Sequence, residues 1–226
     1  MEDRFSHVAA LIGDPVRAKI MWALMDKRAY TATELSVYAN TSPQNISMHL
    51  NKLVKADLLS VESQGRHKYY NYSRPEIADV IEAMASLMPE TEIKKGPVND
   101  DKPVRFCRSC YDHLAGKVGV LLTEGLLSRQ FIHKADNSFE ISADGAIWFD
   151  KQGIDVGQLR KQKRAFAKPC LDWSERKHHL AGSLGAAMLN SMLNTGWVRR
   201  DAGSRTILVT RKGEEAFFEH FKIDLK

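Results

Sequence analysis

Residues 31–59 read TATELSVYANTSPQNISMHLNKLVKADLL, and this stretch predicts two short helices joined by a tight turn. Thr31 and Glu34 have the spacing of a capping box at the start of the first helix. Ser42 is suited to cap the second helix, because a proline follows it at the first helical position, where a missing N–H costs nothing. Residues 39–41 would form the turn. The stretch therefore predicts a helix-turn-helix.

The second predicted helix has one apolar face and one polar face. Ile46, Leu50 and Leu53 recur at helical spacing and would point into the core. The other face carries short polar side chains and a cation, which suit base edges and phosphates in the major groove of DNA. The predicted DNA-contacting residues of this helix are Ser42, Gln44, Asn45, Ser47, His49 and Lys52.

The segment that follows, LLSVESQGRHKYYNY at 58–72, alternates apolar and polar residues around a central glycine. This alternation predicts a β-hairpin. Its tip is cationic and carries Arg66, His67 and Lys68. A helix-turn-helix followed by such a hairpin is a winged helix, and the basic tip favours a nucleic-acid partner. The alternative is a small α+β domain whose polar helix face contacts only solvent.

The sequence resembles the arsenic-repressor (ArsR) family of bacterial transcriptional repressors in the order and spacing of three segments. These are GDPVRAKIMWAL at 13–24, TELSVYANTSPQNISMHLNKLVKADLL at 33–59 and GRHKYYNY at 65–72. The resemblance covers roughly residues 1–90. It implies a homodimer on double-stranded DNA, at a pseudo-palindromic operator, that an effector releases. It also implies that the second helix lies in the major groove and that the hairpin tip reaches the backbone or minor groove.

The sequence departs from that family at its two familiar sensor sites. Many members bind arsenic through a Glu-Leu-Cys-Val-Cys motif on the first helix of the helix-turn-helix. The matching residues here are ELSVY at 34–38, which include no cysteine. The other family site uses Asp and His ligands on the dimer helix, and residues 79–90 contain no histidine. We therefore expect any sensor site in the C-terminal half.

Composition limits the class of protein. The chain has 226 residues, 43% hydrophobic and 27% charged, which is typical of a soluble protein with room for two domains. Its net charge of +5 is compatible with nucleic acid, although residues 1–90 hold 10 Lys and Arg against 11 Asp and Glu. No apolar run approaches a membrane span and no signal-peptide pattern begins the chain. With three cysteines, these features predict reduced thiols in the cytoplasm.

We expect a DNA-binding and dimerisation domain at 1–90, a linker rich in proline and charge at 91–103, and an effector domain at 104–226. A winged helix is complete without the helix predicted from about 73 to 88, so the apolar stripe of that helix is available for packing. We predict that it packs against the first helix and the same pair of a second chain. Packing onto the C-terminal half of its own chain is the alternative. The stripe comprises Ile77, Val80, Ile81, Met84, Leu87 and Met88.

The C-terminal half contains an internal repeat. HLAGKVG at 113–119 recurs as HLAGSLG at 179–185, 66 positions later, and an apolar stretch and a β-rich stretch follow each copy. We interpret both phrases as helices whose glycines allow close approach across a local two-fold axis. The repeats would span about 104–165 and 166–226. The predicted fold class is mainly α with small β wings (α+β): an N-terminal winged helix-turn-helix plus a C-terminal tandem of two winged-helix-like repeats.

Thiols and histidines lie close to the start of both repeat phrases. If the two predicted helices pair, their N-terminal ends would gather these groups, and thiols near helix N-termini have lowered pKa values. Three sulfurs would suit a metalloid such as As(III) or Sb(III), whereas sulfur with imidazole would suit Zn(II). The candidate ligands are Cys107, Cys110, Cys170, His113, His179 and Asp172.

Several alternatives stay open. The cysteines could form a thiol oxidation switch, or they could only fill space beside an organic effector held by Trp148, Trp173 and Trp197. The basic run at 160–164 could contact phosphates or solvent. A thiol-dependent enzyme is disfavoured, because the CxxC does not follow a strand of a thioredoxin-like unit and no phosphate loop or hydrolase motif appears. An architectural DNA-binding protein without an effector is a further alternative. We expect a regulator and not an enzyme.

Overall fold

The structure is a computed structural model that describes residues 1–85, 87, 102–202 and 204–225. They divide into an N-terminal unit, Met1–Met84, and a C-terminal unit, Ala85–Lys226. Among the described residues, no helix has the length and apolar character needed to cross a membrane. Most of the predicted linker, and Met88 of the predicted apolar stripe, lie outside the described residues.

The N-terminal unit is a winged helix-turn-helix, as predicted. Its sheet is antiparallel, with the short first strand paired to the third and the third to the second. Its elements are α1 (Glu2–Ile12), α2 (Pro15–Ala23), a 3₁₀ turn (Leu24–Asp26), β1 (Tyr30–Thr31), α3 (Ala32–Ala39), α4 (Pro43–Lys55), β2 (Leu59–Gln64), β3 (His67–Tyr72) and α5 (Pro75–Ala85).

Side-chain caps start both helices of the helix-turn-helix at the residues that the sequence predicts. The Thr31 side chain accepts a hydrogen bond from the Glu34 amide, and the Glu34 carboxylate accepts one from the Thr31 amide, which completes the capping box. Asn40 ends α3 in the left-handed region at φ 52°. Ser42 then caps α4 by accepting from the amide of Asn45 at 3.2 Å. The boundaries of α3 and α4 therefore follow from side-chain chemistry within a few residues.

The helices α1 and α5 each have some apolar side chains in the core and others exposed to solvent. Leu11, Ile12, Ile77 and Ile81 are buried, as an inward face requires. The other described residues of the predicted apolar stripe, Val80, Met84 and Leu87, are exposed. Phe5 and Val8 of α1 are exposed as well, and Phe5 is 73% exposed.

The C-terminal unit alternates small antiparallel hairpins with helices. The described part of this unit contains four sheets of two strands each: β4 with β5, β6 with β7, β8 with β9, and β10 with β11. The elements are α6 (Lys102–Phe106), β4 (Arg108–Cys110), β5 (His113–Ala115), α7 (Gly116–Ser128), β6 (Ile132–Ala135), β7 (Ser138–Ile141), α8 (Ala143–Lys151), α9 (Val156–Arg160), β8 (Lys168–Leu171), β9 (His178–Ala181), α10 (Gly182–Asn194), β10 (Val198–Arg200), β11 (Ile207–Val209) and α11 (Arg211–Phe221).

The internal repeat is visible in this order. The first repeat runs hairpin, α7, hairpin, α8, and the second runs hairpin, α10, hairpin, α11. The predicted helix at each HLAG phrase is wrong at its beginning, because His113–Ala115 and His178–Ala181 are strands. The helices begin at Gly116 and Gly182, whose φ values are +77° and +84°. Glycine adopts this left-handed conformation without steric cost, so it can join a strand directly to a helix.

Two further glycines of the repeat allow each helix to lie against its own preceding strand. A Cβ on Gly119 would stand 2.5 Å from the carbonyl oxygen of Leu114, and one on Gly185 would stand 2.4 Å from that of Leu180. The next neighbour of Gly185 is the Cβ of His113, at 3.2 Å, in the other repeat. The prediction that these glycines bring helix to helix is therefore corrected: they bring each helix to a strand and to the opposing histidine.

One apolar core joins the two repeats. Side chains of α7 and α10 lie in the same buried cluster as those of the helices α8 and α11. A buried hydrogen bond also crosses between the repeats, from the Leu180 amide to the Thr123 hydroxyl at 2.8 Å. Representative core residues are Val118, Leu122, Leu126, Phe149, Leu184, Met188, Met192 and Phe217. The C-terminal unit is thus a single packed body whose two halves share a structural plan.

Candidate functional site

The outer face of α4 is exposed over most of the predicted contact residues. Gln44, Ser47 and Lys52 face solvent, and Asn45 is half-buried. Three of the predicted residues are engaged within the helix-turn-helix itself: the Ser42 hydroxyl caps α4, the Asn45 side-chain amide donates to the Thr41 hydroxyl at 2.7 Å, and the Ser47 hydroxyl donates to the Pro43 carbonyl at 2.8 Å. Gln44 and Lys52 are therefore the stronger candidates for contacts with a base edge or a phosphate.

The prediction that His49 faces DNA is wrong. His49 is 6% exposed, and its Nδ1 lies 3.4 Å from Oδ1 of Asp14 and 3.4 Å from Nη1 of Arg17. It follows Ile46 by three positions, so the helical period places both on the inner face. Asn51, two positions further along α4, is exposed to solvent instead.

The tip of the hairpin β2–β3 is open to solvent. Arg66, His67 and Lys68 are all exposed, and Gly65 makes the turn at φ +59°. The strands pair in regular register up to Gln64 opposite His67. The N-terminal unit therefore presents an exposed polar helix face and an exposed cationic hairpin tip, the two elements that a winged helix uses on DNA.

A second candidate site lies in the C-terminal unit, where four ligand-type side chains converge. We call Cys110, His113, Cys170 and His179 the Cys/His cluster, and one ligand atom of each lies within 4.8 Å of those of the others. Nε2 of His113 is 3.1 Å from Nε2 of His179. Cys110 stands opposite His113 in the first hairpin, and Cys170 stands opposite His179 in the second. Each repeat thus supplies one thiol and one imidazole from paired strand positions.

A buried carboxylate lies beside the outer nitrogen of each histidine. Nδ1 of His113 lies 3.3 Å from Oδ1 of Asp112, and Nδ1 of His179 lies 3.3 Å from Oδ2 of Asp172, although the second contact is not aligned as a hydrogen bond. Each carboxylate is paired in turn with an arginine: Asp112 with Arg164, and Asp172 with Arg108 at 3.0 Å. Sequence reasoning missed both arginines, and it offered only phosphates or solvent for the run that contains Arg164.

These contacts shift the pKa values of the groups around the cluster. Burial alone would lower the pKa of His113, but the contacts with Asp112 and Cys170 raise it to about 9. The hydrogen bond from Cys110, together with both histidines, lowers the pKa of the Cys170 thiol against the opposing effect of burial. The cluster thus favours a thiolate at Cys170.

Asp172 was predicted as a ligand, but the structure gives it another role. Its Oδ2 accepts from the Gly116 amide at 2.7 Å and from Arg108, and its Oδ1 accepts from the Ser174 and Glu175 amides at 2.9 and 3.0 Å. Burial alone would raise the pKa of Asp172, yet the contacts with His179 and Arg108 hold it well below its usual range. The carboxylate organises the loop beside the cluster and is not one of the converging groups.

Cys107 also lies apart from the cluster. It is fully buried in the apolar core, and burial raises the pKa of its thiol to about 12. The predicted three-sulfur arrangement is therefore corrected to two sulfurs and two imidazoles among the described residues. The tryptophans do not form a ligand pocket either: Trp148 and Trp197 pack around His220, and Trp173 lies under Arg108, whose guanidinium carbon is 4.5 Å from the ring centre.

Comparison with known proteins gives a match in the N-terminal unit and another over the whole chain. A family model described as a helix-turn-helix domain matches residues 12–62. The chain is 42% identical over 226 residues to the HTH-type transcriptional regulator YdfF of Bacillus subtilis (strain 168), covering all of both chains. It is 31% identical over 83 residues to the transcriptional repressor SdpR of the same organism, covering 37% of this chain and 91% of SdpR. Among solved structures, NolR from Sinorhizobium fredii aligns with a TM-score of 0.36 at 21% identity, covering 38% of this chain and 85% of NolR.

Proposed function

This chain belongs to the helix-turn-helix transcriptional regulators of the arsenic-repressor (ArsR) type, and from that premise we propose that it is a dimeric repressor controlled by an effector ion. It binds a pseudo-palindromic operator in double-stranded DNA. A metal or metalloid ion bound at the Cys/His cluster releases it. The observation that carries the DNA-binding part is the exposed polar face of α4, accompanied by the exposed cationic tip of the β2–β3 hairpin.

The two parts of this surface have different roles on DNA. Gln44 is a side-chain amide near the start of α4, the end of a recognition helix that contacts base edges. An amide can bond adenine at two positions, so Gln44 contributes to sequence preference. Arg66 at the hairpin tip meets the phosphate backbone, which carries no sequence information, and it contributes affinity on every sequence.

We expect the variant Gln44→Ala to alter sequence preference and the variant Arg66→Ala to weaken binding uniformly. Loss of a base contact costs about 1–3 kcal/mol of discrimination at one base pair. Loss of a phosphate contact lowers the slope of log affinity against log salt concentration by about one. Fluorescence anisotropy on the operator and on single-base variants, at several salt concentrations, measures both effects. Arg211→Ala is the control, because it removes an exposed arginine of the C-terminal unit that lies outside the basic run at 160–164. Equal effects of Gln44→Ala on all sequences would contradict the assignment.

The exposed apolar side chains of α1 and α5 support the dimer. Phe5 is 73% exposed, and Val80 and Met84 are 47% and 41% exposed, although both helices also bury residues inward. Burial of apolar surface favours association at roughly 25 cal/mol per Å², so a second copy of this face is a suitable partner. A two-fold dimer would place two α4 helices about 34–36 Å apart, one turn of DNA.

A charge on this apolar face is expected to dissociate the dimer. We predict that Phe5→Glu and Met84→Glu convert the chain to monomers and lower operator affinity, because each monomer reaches only one half-site. Analytical ultracentrifugation measures the first effect and anisotropy measures the second. Val37→Glu is the matched control, since Val37 is a 77% exposed apolar residue on α3. If all three variants behave alike, α1 and α5 do not form the dimer face.

The ion would control operator binding through thermodynamic linkage between ion binding and DNA binding. An ion that binds the free protein more tightly than the DNA-bound protein lowers operator affinity by the same factor. A hundredfold loss of affinity corresponds to about 2.7 kcal/mol of coupling. The donor set of the Cys/His cluster, with its carboxylate supports, makes it the candidate for this ion among the described residues.

A further inference from the structure

We propose that the Cys/His cluster is a closed, four-coordinate site for a single divalent ion of the zinc class, and that this ion links the two repeats of the C-terminal unit. The inference identifies the effector ion, and in that respect it rests on the proposed function. The site itself depends on the geometry and chemistry of Cys110, His113, Cys170 and His179 and not on DNA binding.

The donor set and its spacing fit tetrahedral coordination. Zinc takes thiolate sulfur at about 2.3 Å and imidazole nitrogen at about 2.0–2.1 Å, and two of each is a common structural set. A tetrahedron of those bond lengths separates its two nitrogens by about 3.3 Å and its two sulfurs by about 3.8 Å. The two Nε2 atoms lie 3.1 Å apart, and all four donor atoms lie within 4.8 Å of one another. Small side-chain movements would place all four around one ion.

The orientation of the imidazoles favours metal coordination. Both histidines turn Nδ1 toward a carboxylate and Nε2 toward the other repeat. Metal-binding histidines commonly donate their outer N–H to a carboxylate, as the geometry of His113 and Asp112 allows, and this leaves the lone pair of the other nitrogen free for the ion.

Charge balance indicates the valence of the ion. Asp112 is paired with Arg164, and Asp172 with Arg108, so both buried carboxylates are already neutralised. The two cysteines, as thiolates, then bring two negative charges into a site whose histidines are 2% and 0% exposed. A buried charge needs a partner of opposite sign, and a divalent cation with two neutral imidazoles leaves the site neutral. A trivalent metalloid prefers three thiolates, and the cluster offers two.

The ion would connect two halves that are equivalent in structure. Cys110 and His113 come from the β4–β5 hairpin, and Cys170 and His179 come from the β8–β9 hairpin. Each repeat alone therefore supplies two of the four donors. A Cβ on Gly119 would lie 3.7 Å from the Cβ of His179, and one on Gly185 would lie 3.2 Å from the Cβ of His113. Because glycine has no side chain, the histidine of the other repeat can lie close at both positions. This explains why the HLAG phrase carries a histidine before its glycines: the same phrase builds the joint between the repeats and supplies its ligands.

Cobalt(II) titration of the full-length chain, reduced and stripped of metal with a chelator, tests the site directly. Tetrahedral Co(II) with thiolate ligands gives intense visible bands and a sulfur-to-cobalt charge-transfer band. We expect one Co(II) per chain with this spectrum, displaced by one equivalent of Zn(II) and not by As(III). An octahedral spectrum, no binding, or preferential binding of As(III) would overturn the proposal.

The cysteine variants locate the site. We expect Cys110→Ser and Cys170→Ser each to weaken Zn(II) binding by more than about a hundredfold, beyond the 10- to 100-fold typical of a lost outer partner. Cys107→Ala should keep the wild-type spectrum, because Cys107 lies in the apolar core. Circular dichroism checks that each variant is folded, and His113→Gln supplies a second ligand loss if a serine variant does not fold. Wild-type Zn(II) affinity in folded Cys110→Ser, Cys170→Ser or His113→Gln, or loss of the spectrum in folded Cys107→Ala, contradicts the site.

Operator binding, measured on the same samples, separates the two proposals. If Zn(II) binds at the cluster but operator affinity does not change, the site stands and the role of the ion as effector fails. If the chain binds operator but gives no tetrahedral spectrum, the metal site fails and the DNA-binding assignment stands.

Discussion

Replacing Asp172 with alanine is expected to lower the free energy of unfolding of the C-terminal unit by about 3–5 kcal/mol, the cost of breaking a buried ion pair by removing one partner. Both Asp172 and Arg108 are fully buried, so Asp172→Ala leaves the Arg108 charge without its carboxylate. The substitution also removes the acceptor for the Gly116, Ser174 and Glu175 amides.

Urea denaturation followed by tryptophan fluorescence measures this effect. Trp173 is a suitable reporter, because its ring lies under the Arg108 guanidinium. The experiment is done with a chelator present, so that bound metal does not contribute. Arg160→Ala is the control: it breaks an exposed ion pair with Glu140, and such pairs contribute about 0–1 kcal/mol. A similar loss in both variants would show that the buried pair contributes no more than an exposed one.

Replacing Gly185 with alanine is expected to destabilise the C-terminal unit by about 1–3 kcal/mol, as overpacking does. Alanine in place of glycine within a helix normally stabilises by about 1 kcal/mol, so the sign is reversed here. The reason is that the new Cβ would lie 2.4 Å from the Leu180 carbonyl oxygen, a backbone atom that cannot move independently of β9. Gly119→Ala should behave alike, because its Cβ would lie 2.5 Å from the Leu114 carbonyl oxygen.

Thermal or urea unfolding measures the loss, with Gly157→Ala as the helical control. A Cβ on Gly157 would lie 3.2 Å from Oδ1 of Asp155, which caps α9, and a shift of a few tenths of an ångström relieves this contact without loss of the cap, so stability should stay within about 1 kcal/mol of wild type. Gly185→Ala should also weaken Co(II) binding, since its Cβ would press on His113 at 3.2 Å. A stabilised Gly185→Ala chain would mean that α10 can move away from β9 at little cost.

The sequence predicted the N-terminal unit well because its signals are local. The caps at Thr31 and Ser42 act within three residues, and the apolar positions of α4 follow the helical period. His49 was assigned to the wrong face because Asp14 and Arg17, from a distant segment, form its polar surroundings in the interior. A polar side chain on a helix faces solvent only if the interior offers it no polar partner. Whether such a partner exists depends on the tertiary fold, which the local sequence does not reveal.

The Cys/His cluster was only partly predictable, for two reasons. Two residues separate Cys110 from His113, whereas eight separate Cys170 from His179, so the cysteines do not align when the repeats are overlaid by sequence. Their equivalence appears only in the strand register. Moreover, Cys107 lies between α6 and β4 and is buried in the apolar core, whereas Cys110 belongs to β4 and reaches the cluster, although CxxC spacing suggests a pair.

The division of donors between two hairpins has a consequence for fragments of this protein. A polypeptide that ends before β8 retains Cys110 and His113 but none of the donors of the second hairpin. Such a fragment offers two donors and would lose the chelate effect that four tethered donors give the proposed site. Under that proposal, tight ion binding requires the second hairpin, and a truncated chain would not compete with the complete protein for scarce metal.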